Sequence, residues 1–474
     1  MDCIEQIYKR KVKKMEQGLT KKYGLFTAIA MVVGIVIGSG VFFKAEKILV
    51  STGGDLPLGI LGWIIGGVIM VSCAYTFAIM ATRYEYVNGV VDYAEATLGK
   101  NYAYYVGWFM ALIYYPTLTS VLAWVSARFT GVLLGWDIVG PQTMVLAGFF
   151  LVASYALNAL SPVLAGKFQV TATVIKLIPL VLMAIIGTIV GLSNGMTVTN
   201  FTTVVENVDP IQGLFTAVVA TAFAYEGWII ATSINAELRE SKKNLPKALV
   251  LGSFIVITVY ILYYIGLAGA VTNEVMMAGG QDGARIAFET IFSSVGGTLL
   301  FVFIIISCLG TLNGLMLGCT RGMYSLAARN EGPSVNVMNQ VDKATNSPSN
   351  SAIFGLLLSA AWLVYFYGAN LTDPWFGGFG VFNFNFDSSE IPIVTIYALY
   401  IPIFIGMMMK EKDLSSWKRF IVPALAIIGC VFMVIAAFFS HGMESVFGYL
   451  LIFAVIMVIG VFVKGGKGKE FFKK

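Results

Sequence analysis

Apolar runs of about 20 residues, enough to cross the hydrocarbon core of a bilayer at 1.5 Å per residue, recur along the whole of this 474-residue chain. They fall near 24–43, 57–80, 102–125, 143–162, 170–192, 212–234, 248–270, 296–319, 352–368, 391–409, 421–440 and 445–463. Only 12% of the residues are charged and 58% are hydrophobic, too little charge to cover a soluble surface of this size. The sequence therefore predicts an all-α polytopic membrane protein with about twelve transmembrane helices and no soluble domain. A basic stretch, 1–22, precedes the helices, and a basic tail, 464–474, follows them. The first apolar run is longer than the roughly 7–15 residues of a signal sequence, so it reads as a retained span.

Basic residues set the expected orientation. With both termini and the even-numbered loops in the cytoplasm, that side holds 26 of the 31 Lys and Arg. The other side holds Lys44, Lys47, Arg128 and Arg285, and Lys176 lies inside a span. A plasma-membrane carrier with cytoplasmic ends is expected, its tail near anionic lipid. The Gly- and aromatic-rich segment Asp373–Gly380 reads as an outer interfacial loop. The five cysteines lack metal-ligand spacing and His441 is the only histidine. Neither a metal site nor a Ser–His–Asp triad within the spans is expected, nor a cofactor or a nucleic-acid partner.

Two spans contain weak points. The first carries Gly34, Gly38, Ser39 and Gly40, where glycine costs about 1 kcal/mol per position relative to alanine. Close helix packing would also explain glycines at this spacing. The sixth carries Phe223-Ala224-Tyr225-Glu226-Gly227-Trp228, with a carboxylate among aromatics. Breaks in the first and sixth spans are what an inverted repeat of five spans plus five produces, the broken helices meeting at the substrate site. The core would then be 23–409, with two further helices over 410–463.

Lys176 and Glu226 are the only ionisable charges within the apolar runs. A charge at the bilayer centre costs roughly 2.5–3.5 kcal/mol on insertion scales, so such residues face a cavity or a partner. Lys176 stands nine residues beyond Lys167, roughly 13 Å deep and too far to snorkel. It either satisfies backbone carbonyls or lines the transport path. Glu226 either meets a substrate amine or a proton, or bonds within the protein. A Glu226–Lys176 pair is left open by the spacing.

These motifs resemble the amino acid–polyamine–organocation superfamily, nearest the prokaryotic relatives of L-type amino acid transporters and serine/threonine exchangers. The resemblance rests on Gly38–Phe42, Phe223–Trp228, Ala236-Glu237-Leu238, Asn244–Lys247, Gly310–Gly314, Arg321 and Ala327-Ala328-Arg329. It implies a LeuT-type fold with broken helices 1 and 6. It also implies substrate carboxylate on the N–H groups of Gly38, Ser39 and Gly40, and substrate ammonium on the carbonyls of Phe223 and Ala224. Lys176 matches a lysine standing where sodium binds in sodium-coupled relatives. Glu226 departs from the family pattern, which has glycine there. Tyr114, Tyr115 and Asn313 are further candidate pocket residues.

The expected function is a sodium-independent carrier of small neutral amino acids, working by alternating access as an exchanger or with protons. A cationic amino acid or polyamine antiporter is the alternative that Glu226 motivates. A non-transporting sensor would need a signalling domain that the sequence lacks, and an enzyme would need buried catalytic groups it does not offer. Whether an accessory subunit is needed is not written in the chain.

Overall fold

The computed structural model describes residues 24–465 apart from 85–88, 204–208, 230–237, 280, 343 and 346. The basic stretch 1–22, most of the tail, and Ala236 and Glu237 lie outside the described residues. The main helices are α1 (Leu25–Val36), α2 (Gly40–Ser51), α3 (Leu56–Ala81), α4 (Lys100–Leu134), α5 (Pro141–Leu160), α6 (Val163–Ser193) and α7 (Pro210–Ala224). After these come α8 (Ser241–Ala270), α9 (Gln281–Ala328), α10 (Ser349–Leu371), α11 (Ile391–Lys410), α12 (Trp417–His441) and α13 (Met443–Val463).

Ten of these helices are long and apolar enough to cross a membrane, among the described residues. They coincide with ten of the twelve apolar runs. The other two runs, 24–43 and 212–234, do not form single spanning helices. The first is divided between α1 and α2, with 37–39 non-helical. The second is helical as α7 and leaves the α-helix at Tyr225. Segment 373–380 is a loop ending in a short strand, β1 (Gly378–Phe379), which pairs with β2 (Phe382–Asn383) just beyond it.

Local chemistry sets several helix starts. The Asp55 carboxylate caps α3 by accepting from Leu58 N at 2.8 Å, and Asp209 caps α7 by accepting from Ile211 N at 2.9 Å. Each is followed within two residues by a proline, tolerated there because the first turn has no acceptor for its missing N–H. Glycines on α3 let it lie close to the α7 and α8 side chains. A Cβ at Gly62 would come 2.9 Å from that of Ala217, and one at Gly59 would strike the Tyr264 hydroxyl. Within α4 the turn Met110–Tyr114 is widened to π geometry. Such turns re-aim the side chains beside them, and here Tyr114 points to the centre of the molecule.

The helices overrun the apolar runs and so carry charges beyond the two within those runs. Lys44 lies inside α2, Arg128 inside α4 and Arg321 inside α9. Lys44 is fully buried and paired with Glu390 at 2.7 Å. Arg128 reaches Glu46 at 3.5 Å. On the opposite face Arg329 is buried and bonds Asp92 and Glu95, both on the short helix Val90–Leu98. Removing one member of a buried ion group strands the others, at about 3–5 kcal/mol. Arg329→Met should accordingly lower the melting temperature of detergent-purified protein markedly more than Lys243→Met, whose ammonium is exposed. Equal melting curves would show that the triad does not tie Val90–Leu98 to α9.

Candidate functional site

The chain leaves the helix after Val36 because Gly38 and Gly40 allow approaches that no side chain permits. A Cβ on Gly40 would sit 2.5 Å from Ala224 Cα and 3.1 Å from the Phe223 carbonyl oxygen. The α2 start and the α7 end therefore touch backbone to backbone. The first N–H groups of α2, on Ser39, Gly40, Val41 and Phe42, have no intrahelical acceptor, and Phe43 N is the first to bond back, to Ser39 O at 2.9 Å. They present a partial positive charge at the interruption.

The carbonyl ends of α1 and α7 present the opposite charge, and two side chains answer it. Lys176, on α6 and buried, donates its ammonium to Gly34 O in the last turn of α1. The Tyr260 hydroxyl of α8 lies 3.0 Å from Val36 O and 3.1 Å from Ala224 O, so it bridges the carbonyl ends of α1 and α7. Tyr260 carries no sequence signal, being one aromatic in an apolar run.

Between the interruptions lies a cavity of about 230 Å³. Gly38, Ser39, Gly40, Phe223, Ala224, Glu226, Lys176 and Tyr114 all line it. Glu226 Oε1 accepts the Tyr114 hydroxyl. Ser39 Oγ and Glu226 Oε2 are buried and make no hydrogen bond among the described residues. Lys176 and Glu226 are not ion-paired; each is held by its own partner. Two expected pocket residues stand elsewhere. Asn313 is buried behind the wall, bonded to Gln169 and Asn158. Tyr115 lines a neighbouring cavity, because consecutive helical positions point about 100° apart. The sequence reading missed Gln169, Thr311 and Gly314, which complete the wall. Glycines 310, 314, 318 and 322 repeat every four residues, a pattern that marks the α9 face turned to its neighbours.

The neighbouring cavity, about 260 Å³, meets the first at Gly314 and Leu317 and runs past Tyr115 to Arg321 and Ser325. It leads toward the face that holds Arg329 and Lys464, the one with the excess of basic residues. The other exit is shut. Phe43 packs edge-on against Trp124 and Phe223, at centroid distances of 5.9 and 5.7 Å. Lys44 lies over Phe43 and Phe223, and Arg128 over Phe43 and Trp124. Behind this plug Lys47 bonds Glu390 at 2.6 Å and Asp387 at 3.2 Å, with His441 Nε2 3.2 Å from Glu390. Burial opposes the charge on Asp387, but Lys47 and Lys44 outweigh it and hold its carboxyl at about 2. Asp387, Glu390 and His441 could by spacing hold a metal ion, yet the two lysine ammoniums already occupy the cation positions.

The amino acid permease family profile matches residues 23–462. The chain belongs to this family. It is 27% identical over 427 residues to the serine/threonine exchanger SteT of Bacillus subtilis, covering 88% of this chain and 91% of that one. It is 24% identical over 449 residues to the mouse b(0,+)-type amino acid transporter 1, covering 90% and 89%. Its fold resembles that of MhsT, solved in complex with L-phenylalanine, with a TM-score of 0.54 at 16% identity over 87% of this chain and 98% of that one. It is thus a multi-pass membrane protein of an amino acid transporter family with a LeuT-type fold, and not an enzyme.

Gly40 gives the sharpest structural test in this permease. Gly40→Ala should abolish amino acid uptake by reconstituted vesicles while Gly148→Ala, where a Cβ meets nothing within 4 Å, leaves it intact. Full activity of Gly40→Ala would mean that the α2–α7 backbone contact is dispensable.

Proposed function

We propose that this permease is a sodium-independent carrier of small neutral amino acids that works by alternating access. The observation that carries the reading is the cavity between the two interruptions. One wall offers helix-start N–H groups with no intrahelical acceptor, suited to a carboxylate, and the other ends in carbonyls suited to an ammonium. Gly38, Ser39 and Gly40 would take the carboxylate, and Phe223 and Ala224 the ammonium. The cavity's size supports a small solute, being below the roughly 300–1,000 Å³ of sites for drug-sized ligands.

Sodium independence follows from Lys176. The α1 carbonyl end is where a cation gains most from the helix dipole, and the lysine ammonium already stands there. Exchange and proton coupling both fit a fixed ammonium beside the site. SteT, a serine/threonine exchanger, and the b(0,+)-type amino acid transporter support the same class of substrate. The outer plug and the cavity chain toward the basic face fit a carrier open to the cytoplasm, with the termini on that side.

Glu226 supports a second reading, a cationic substrate, since its Oε2 lacks a protein donor. The two readings part on one variant. Glu226→Gln should keep L-alanine flux and lose any L-arginine flux if the carboxylate receives a cationic side chain.

Proteoliposomes loaded with unlabelled L-serine test the main reading. Labelled L-serine should enter at the same rate in sodium and in choline buffer, and Lys176→Ala should cut flux by tenfold or more without creating sodium dependence. A wild-type flux that needs a sodium gradient would overturn the role given to Lys176.

A further inference from the structure

We infer that Gln169 presents a fixed hydrogen-bond donor to the cavity and selects substrates whose side chain carries an acceptor. The inference rests on the cavity being the amino acid site.

The argument is one of amide orientation, and backbone carbonyls decide it. Asn158, buried on α5, donates Nδ2 to Ser154 O at 3.0 Å and to Asn313 O at 3.2 Å. Carbonyl oxygens only accept, so the amide face of Asn158 is set. The same Nδ2 is 2.9 Å from Asn313 Oδ1 and shares its two hydrogens among the three oxygens, and a second backbone carbonyl, Ala165 O, fixes the donor end of the Asn313 amide. Asn313, also buried, then turns its own Nδ2 to Ala165 O at 3.3 Å and to Gln169 Oε1 at 3.1 Å. The Gln169 oxygen is thereby engaged. Its Nε2 has no protein acceptor among the described residues, while Gln169 itself lines the cavity.

The position suits contact with a substrate. Gln169 is two helical turns from Lys176 and so on the same face of α6. Its amide lies 3.6 Å from a Cβ built on Gly314, one turn along α9 from Thr311, which packs against Gly38. A substrate whose carboxylate meets Gly38–Gly40 therefore faces the α9 wall about one helical turn from Gly314, the neighbour of the amide. That is the reach of a short side chain. A hydroxyl, ether or carboxamide oxygen there completes the donor, whereas a hydrocarbon of the same shape leaves it unpaired and dry. Asn313 and Asn158 act as positioning residues: they touch no substrate and set which end of Gln169 does.

The test uses the full-length protein in proteoliposomes, with labelled L-alanine uptake and two isosteric competitors. O-methyl-L-serine has an ether oxygen that accepts only, and L-norvaline has a methylene in its place. The wild type should be inhibited by O-methyl-L-serine at a concentration about fivefold lower than by norvaline, the weight of one neutral hydrogen bond. Gln169→Leu should bring the two to equality, read as the ratio of their inhibition of whatever L-alanine uptake the variant has. Gln169→Glu, which offers an acceptor in place of the donor, should also lose the ether preference. Equal inhibition of the wild type by both competitors would overturn the inference, as would a Gln169→Leu variant that keeps the ratio. Weakening of all ligands by one common factor would overturn it too, by assigning the amide to the substrate's carboxylate. Failure of the underlying reading looks different: the wild type would take up no amino acid.

Discussion

A backbone carbonyl freed from its helix inside a bilayer has no water to bond, and each such group costs several kcal/mol. Breaking a helix at mid-membrane is therefore affordable only where other groups take up the loose ends. In this permease the Lys176 ammonium answers Gly34 O, and the Tyr260 hydroxyl answers Val36 O and Ala224 O. The complementary N–H groups at the start of α2 face the cavity. The α1 carbonyl end is thus closed by the protein, while the amide groups at the start of α2 are left open, which is the asymmetry a carboxylate-binding site requires.

The same pairing constrains the glycines. α2 and α7 approach so closely at Gly40 and Ala224 that a methyl group cannot enter. Their cavity inherits its width from this contact and its polarity from Glu226, Ser39 and Gln169. Farther out, Phe43, Trp124 and Phe223 close one exit, and cations clamped by Glu46 and Glu390 lie over the rings. Cation–ring contacts gain from desolvation, so the plug is held by charge as well as by area.

Much of this was legible in the chain because bilayer physics leaves few options. Ten apolar runs became ten long helices, and the two that carry Gly38-Ser39-Gly40 and Glu226-Gly227 did not. Gly38, Ser39, Gly40, Phe223, Ala224, Glu226 and Lys176 could be named because each violates what an ordinary span tolerates or matches a family motif. Tyr260 and Gln169 violate nothing. Their roles depend on which carbonyl or amide lies opposite, and tertiary packing alone supplies that. Asn313 shows the reverse error: an amide in a span marks a polar contact, but not whether it faces the cavity or supports the residue that does. The buried pairs Lys44–Glu390 and Arg329–Asp92 were hidden because their partners lie hundreds of residues away.

The central claim is that an amino acid occupies the space between the two interruptions. Thr311 lines that space and packs against Gly38, so Thr311→Cys places a reporter there with little change of volume. The measurement is its rate of alkylation by a small thiol reagent, in purified protein lacking Cys3, with and without L-serine. The account predicts that L-serine slows alkylation in a saturable way and that D-serine does not. Alkylation unchanged by L-serine, in a preparation that still transports it, would contradict the account and move the site elsewhere.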